Sequence, residues 1–400
     1  MTLQEHLSNK TFPKRILALD GGGIRGALTL GYLQRMEDIL RKQHGDDSRF
    51  RLSHYFDLIG GTSTGSIIAG CLAIGMKVSD ITTLYMELGL KIFARKYKWW
   101  KIFEIADMLT ASYNAKQLET ELEKAFGDIT LGDTERIKTG LCIIAKRADT
   151  NSLWAFMNHP DGKYFNDAKN MNRDVLLWKA IRASSAAPTY FLPQVIDVGA
   201  GINNEAAFID GGVSMANNPA LQCLMVATLQ GYPFRWQWGD DKILLVSLGT
   251  GMSKWKKLPQ NIQKNNLLNW ASQLPDMFMQ DASWHNQLIL QWISNSRTAS
   301  PIDREIGTLE KDMMGQTDKI KGLISYLRYN IWLDAETLEP LMGKRYEQKE
   351  IDTLVEMSNA ANREILYEIG TKAAASQVEV NDFPERFKSP LPTSPGGGGA

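Results

Sequence analysis

Cysteine is scarce in this chain of 400 residues: there are three, Cys71, Cys142 and Cys223, far apart and without a CxxC pair. That excludes a disulfide framework and a Cys-ligated metal site, and the three read as small buried hydrophobes in a reducing compartment. Net charge is missing as well, with 45 Lys plus Arg against 45 Asp plus Glu. No global field draws such a chain onto nucleic acid or an anionic membrane, so attraction to a polyanion must be local and nucleic acid is not an expected partner. Long apolar runs are also lacking. The longest, Ile67 to Met76, is too short to span a bilayer, and the polar start Met1 to Lys14 has no apolar signal core, so a cytoplasmic location is expected. Histidine is sparse, with five in all, and there is no H-E-x-x-H, EF-hand loop or His/Asp cluster at ligand spacing. Neither a metal nor another cofactor is expected.

What is present fits a folded protein: 44% hydrophobic and 22% charged residues exclude disorder as a whole-chain answer. In the N-terminal half, strand-like and helix-like segments alternate, as a mostly parallel sheet covered by helices requires. Arg15 to Leu19 reads as a strand, followed by a Gly-rich loop and a helix over Ala27 to Leu40. Tyr55 to Gly60 reads as a second strand, with a tight turn and an apolar helix over Ser66 to Met76. Thr139 to Ala148, Ser152 to Asn158 and Lys242 to Leu248 read as further strands. After about Pro259 the strand signals stop, and Asn261 to Ser294, Ile302 to Leu327 and Lys349 to Val380 read as helices covering the same sheet. The organisation expected is an N-terminal extension (1–14), a core (15–259), a helical region of the same domain (260–382) and a disordered tail (383–400). Four prolines and a Gly396 to Gly399 run argue against packing of that tail.

Two glycine-rich turns carry the chemistry. Gly61-Thr62-Ser63-Thr64-Gly65 fits G-x-S-x-G, where a sharp strand-to-helix turn lifts a serine hydroxyl to the top of a sheet. Asp20-Gly21-Gly22-Gly23-Ile24-Arg25-Gly26 opens the first helix, and its backbone N–H groups, with that of Thr64, could receive a tetrahedral oxyanion. The same glycines fit G-x-G-x-x-G, but a dinucleotide site wants an acid at the end of the second strand, which here runs into the serine turn. For a base, His6, His44 and His159 read as solvated and His54 as a cap or surface group. His285 alone sits where a Ser-Asp-His order allows, yet inside a helix. Asp210, at an apolar strand end broken by Gly211-Gly212, is the better candidate, against a plain Asp-Gly turn.

With DGGGIRG at Asp20 to Gly26, GTSTG at Gly61 to Gly65 and DGG at Asp210 to Gly212, in that order, the sequence resembles the patatin-like phospholipases and reads as a bacterial member. RASSAAPTYF (Arg182 to Phe191), ANNPA (Ala216 to Ala220) and VSLGTG (Val246 to Gly251) add to the likeness. The resemblance implies a three-layer α/β/α fold and a phospholipase A or lysophospholipase type of lipid acyl hydrolase. It implies a catalytic Ser63–Asp210 dyad without histidine, Gly22 and Gly23 as oxyanion donors, and Arg25 fixing their loop. It also implies phospholipid or lysophospholipid as substrate, with any regulatory ligand or protein unknown. The alternatives are a non-catalytic storage or binding protein on the same scaffold and a Ser-His-Asp esterase using His285. Independently of the family, Lys98-Trp99-Trp100-Lys101 and Lys254-Trp255-Lys256-Lys257 combine indoles with cations, which suits peripheral membrane contact. They suit half-buried packing with snorkelling lysines equally well.

Overall fold

A computed structural model of the chain describes residues 1–93, 105–167, 171–188, 190–199, 205–254, 259–263, 266–301, 313–316 and 321–390. Its strands are β1 (Lys14–Leu19), β2 (Leu58–Thr62), β3 (Gly140–Arg147), β4 (Ser152–Met157), β5 (Gln194–Asp197), β6 (Glu205–Asp210), β7 (Ile243–Leu248), β8 (Ser294–Ser296) and β9 (Ile324–Tyr329). They form one sheet in the order β5-β6-β3-β2-β1-β7-β9-β8, with β4 also on β3. The run β3-β2-β1-β7-β9-β8 is parallel throughout, while β4, β5 and β6 pair antiparallel.

In β1, Leu17 and Leu19 join one hydrophobic cluster and Ile16 and Ala18 another. A strand buried on both faces needs helices on both sides. The first face is covered by α2 (Gly26–Gln43), α3 (Thr64–Ala73), α4 (Val78–Phe93), α5 (Ile105–Phe126) and α6 (Leu177–Ser184), together with the later helix Arg363–Gln377. Leu7 of α1 (Leu3–Leu7), α7 (Ala220–Thr228) and Leu290 cover the second. The α/β/α layering implied by the sequence is therefore present, with a central, mostly parallel sheet.

The region beyond Pro259 differs from the expectation of helices alone. After α8 (Pro259–Gln263) and the long α9 (Leu267–Ile293), the chain enters the sheet twice, as β8 and β9. Ile302 to Leu327 is therefore not one helix: its end belongs to β9, and 302–312 and 317–320 lie outside the described residues. All six residues of β9 are buried, so no polar alternation marked it as a strand. Lys349 to Val380 is likewise divided, into α11 (Gln348–Leu354) and α12 (Arg363–Gln377), after α10 (Ala335–Met342). The expected unpacked tail does not start at Phe383. Phe383 and Phe387 are buried, and Arg15 Nη1 donates to the Phe387 carbonyl. Residues 391–400 lie outside the described residues.

Candidate active site

The register of β3 explains how residues 147 positions apart meet. One edge of β3 carries β4; the other carries β2 as far as the Thr62↔Ile144 pair, and from Ala145 it carries β6, arriving from the opposite direction. Asp210 pairs with Ala145, the next position along β3, just where β2 has turned away at Ser63. Two strands thus meet end to end, and their terminal side chains touch. Ser63 Oγ donates to Asp210 Oδ2 at 2.6 Å, while the Gly212 N–H donates to Oδ1 at 2.7 Å.

Ser63 occupies a strained backbone conformation, φ 53° and ψ −127°, between β2 and the first turn of α3. Close packing explains the flanking glycines: a Cβ on Gly65 would collide with the Leu19 carbonyl. The turn is held by side chains from distant segments. The Ser63 N–H donates to Ser184 Oγ at 2.9 Å, Ser184 Oγ donates to the Ile144 carbonyl at 2.5 Å, and Thr62 Oγ1 donates to the Ala216 carbonyl at 2.6 Å. Asp210 is 5% exposed, and burial pushes its carboxyl up to about 6, against the two hydrogen bonds that favour the charged form. It is therefore a stronger base than an ordinary aspartate and remains mostly ionised at neutral pH.

Beside this pair lies the loop after β1. The Gly21 N–H donates to the Asn217 carbonyl (3.0 Å), the Gly21 carbonyl accepts from Thr250 Oγ1 (3.1 Å) and the Gly23 carbonyl accepts from Tyr85 Oη (2.5 Å). The Gly22 and Gly23 N–H groups donate to no acceptor among the described residues. Ser63 Cβ comes within 3.1 Å of where a Cβ on Gly21 would sit, so the loop runs directly against the serine. The Thr64 N–H opens α3 on the other side. Arg25 is half-buried at the start of α2, and its Nε has no hydrogen-bond partner among the described residues. Asp20, at the head of the loop, is held by both terminal guanidinium nitrogens of Arg328, at 2.9 and 2.6 Å. Burial works against the Arg25 charge and pulls its guanidinium below the ordinary value, while the Asp276 and Asp20 carboxylates favour the charged form.

The structure brings Ser63, Asp210, Gly22, Gly23, Arg25 and Thr64 to one end of the sheet. His285 is exposed on α9, and among the described residues no histidine bonds to Ser63 or Asp210. Three histidines read as solvated are instead buried, because partners distant in sequence cover them. His6 Nδ1 sits 2.9 Å from Asp57 Oδ1, His44 bonds to the Leu40 carbonyl and to Ser389, and His159 packs edge-on against Phe234. His54 Nδ1 accepts the Arg51 N–H, a cap as expected. Lys254 does not present a free charge, since its ammonium lies 2.8 Å from Asp334 and 3.1 Å from Glu336, over the Trp332 ring. Trp99, Trp100, Trp255, Lys256 and Lys257 lie outside the described residues. No helix among the described residues is long and apolar enough to cross a membrane.

Sequence reasoning assigned no role to Ser184, Asn217, Thr250 or Arg328. The first three fall within the RASSAAPTYF, ANNPA and VSLGTG segments, so a signal existed without a mechanism; Arg328 had none.

Compared with known proteins, a family model described as "Patatin-like phospholipase" matches residues 17–224. The chain is 33% identical over 256 residues to "Patatin-like protein 1" of Oryza sativa subsp. indica, covering 59% of this chain and 58% of that protein. It is 31% identical over 221 residues to a "cGAMP-activated phospholipase" of Vibrio cholerae, covering 54% and 57%. "Patatin-16" of Solanum tuberosum is 24% identical over 390 residues, covering 94% and 87%. The chain thus spans little more than half the length of the first two of these relatives.

Proposed function

Since the chain belongs to the patatin-like phospholipase family, we propose that it is a lipid acyl hydrolase that cleaves carboxylic esters through an acyl-enzyme on Ser63. The observation that carries this reading is the 2.6 Å hydrogen bond from Ser63 Oγ to Asp210 Oδ2. Asp210 takes the hydroxyl proton as Oγ adds to the ester carbonyl, whose π electrons move onto oxygen. The Gly22, Gly23 and Thr64 N–H groups receive that oxyanion, and Arg25 adds positive charge beside the loop. Collapse breaks the C–O bond to the alcohol, which leaves with the proton from Asp210. Water then repeats the sequence: it gives a proton to Asp210, adds to the acyl carbon, and releases the fatty acid as Oγ recovers its proton.

The raised basicity of Asp210 supports its role as the sole base, and no imidazole is needed. The substrate class proposed is phospholipid or lysophospholipid met at a membrane surface, the reading favoured by the phospholipase relatives. A fluorophosphonate probe followed by peptide mass spectrometry tests the chemistry. The adduct should map to Ser63 and vanish in Ser63→Ala, and Ser63→Ala and Asp210→Ala should each lose at least about 10³-fold in turnover, with the double variant little worse. A folded, unlabelled wild-type protein would identify a non-catalytic scaffold.

A further inference from the structure

Arg328 comes from β9, more than a hundred residues past the end of the segment that the family model matches. It reaches across β7 to Asp20, with Nη1 at 2.9 Å from Oδ1 and Nη2 at 2.6 Å from Oδ2. This is a bidentate fork, and both side chains are 5% exposed. Nη1 also donates to Ser247 Oγ of β7 at 2.7 Å, and Ser247 Oγ lies 3.4 Å from Asn218 Oδ1. Asn218 follows Asn217, whose carbonyl accepts the Gly21 N–H. One guanidinium therefore braces the glycine loop from two directions, through the carboxylate that heads it and through the segment that grips its first amide.

We infer that Arg328 is a positioning residue for ester hydrolysis, clamping Asp20 so that the Gly22 and Gly23 N–H groups point at the oxyanion. The inference rests on the Ser63 acyl-enzyme reading. A buried ion pair gives a fold little advantage over apolar side chains of similar volume, so stability alone does not account for it. It does fix direction, because two parallel hydrogen bonds allow the carboxylate little rotation. Arg328 also cancels a negative charge that would otherwise stand two residues before the first glycine donor and oppose the developing oxyanion.

The test compares Arg328→Met and Arg328→Lys with wild type on a soluble short-chain ester, with thermal melts to verify folding. Affinity for a trifluoromethyl ketone, to which Ser63 Oγ adds to give a tetrahedral oxyanion, is measured beside kcat and KM. Arg328→Met should lower kcat about 10²-fold, the scale of one lost oxyanion donor. Arg328→Lys, which keeps the charge without the fork, should fall between the two. KM should stay within about twofold, and ketone affinity should fall in step with kcat/KM, because only interactions made in the transition state are lost. Wild-type kcat and ketone affinity in a folded Arg328→Met would overturn the inference. If that variant does not fold, Arg328→Lys decides, with unchanged kcat and ketone affinity against it and a parallel loss of both for it. Activity surviving in folded Ser63→Ala would instead remove the acyl-enzyme reading beneath it.

Discussion

Replacing Asp210 by asparagine should kill the enzyme and stabilise the protein. Burial raises the Asp210 carboxyl from 3.8 to about 6. At 1.36 kcal/mol per tenfold change, ionising it in place costs the folded state roughly 3 kcal/mol relative to the unfolded chain. The sign follows from the direction: a folded-state value above the unfolded one gives stability that is complete below about pH 4 and lost as pH rises through about 6. The amide of Asp210→Asn carries no charge at any pH, yet it still offers an oxygen to the Gly212 N–H and a polar partner to Ser63. At pH 8 the variant should therefore exceed wild type by up to about 3 kcal/mol, and near pH 4.5 by only about 1 kcal/mol. Urea unfolding followed by tryptophan fluorescence at the two pH values measures this. The same carboxylate must be ionised to accept the Ser63 proton, so wild-type kcat/KM should rise with pH through about 6 and level off above it. A stability difference that does not change with pH, or a variant weaker than wild type at pH 8, would refute the claim that Asp210 is a desolvated base.

His285→Ala should retain most of its esterase activity, since this histidine is exposed on α9; a folded but inactive variant would favour a Ser-His-Asp triad. Gly22→Ala should lose at least about 10² in turnover and also lower the melting temperature. Its Cβ would strike Thr250, the residue that holds the Gly21 carbonyl, so loss of activity with an unchanged melt would count against that packing. Asp57→Asn removes a fully buried partner of Arg15 at the end of β2 opposite Ser63, and should destabilise by about 3–5 kcal/mol at pH 7. Burial opposes the Asp57 charge, but Arg15, His6 and Lys14 outweigh it and hold the carboxyl well below its ordinary value. That stability is present above about pH 4 and is lost as pH falls through the lower folded value, so the deficit should shrink in acid, while activity per folded molecule stays unchanged.

The parts legible in the sequence are those decided locally. The β1-loop-α2 and β2-turn-α3 units read correctly because a short apolar run, glycines where no side chain fits and a helical apolar pattern follow one another within a few residues. The Asp210 turn was visible for the same reason. What escaped depends on partners far along the chain. His6 sits among polar neighbours in sequence, and nothing there announces that Asp57 and Lys14 will enclose it. β9 is buried on both faces, so its six residues lack the alternation that marks a strand, and its arginine gave no hint of being neutralised inside the protein. The site was readable to the extent that its motifs are contiguous, and its bracing was not.

The strand order also sets when the candidate site can be completed during synthesis. β1 lies between β2 and β7, and β7 between β1 and β9, so the centre of the sheet lacks a neighbour until Ile324–Tyr329 has been made. Ser63 and Asp210 exist on the ribosome more than a hundred residues earlier, an interval on the order of ten seconds at about 5–20 residues per second. Throughout it the nascent chain holds both Ser63 and Asp210, but Asp20 has no Arg328 to meet. If Arg328 positions the glycine loop as inferred, the proposed hydrolase would stay idle until β9, made more than a hundred residues after Asp210, has joined the sheet.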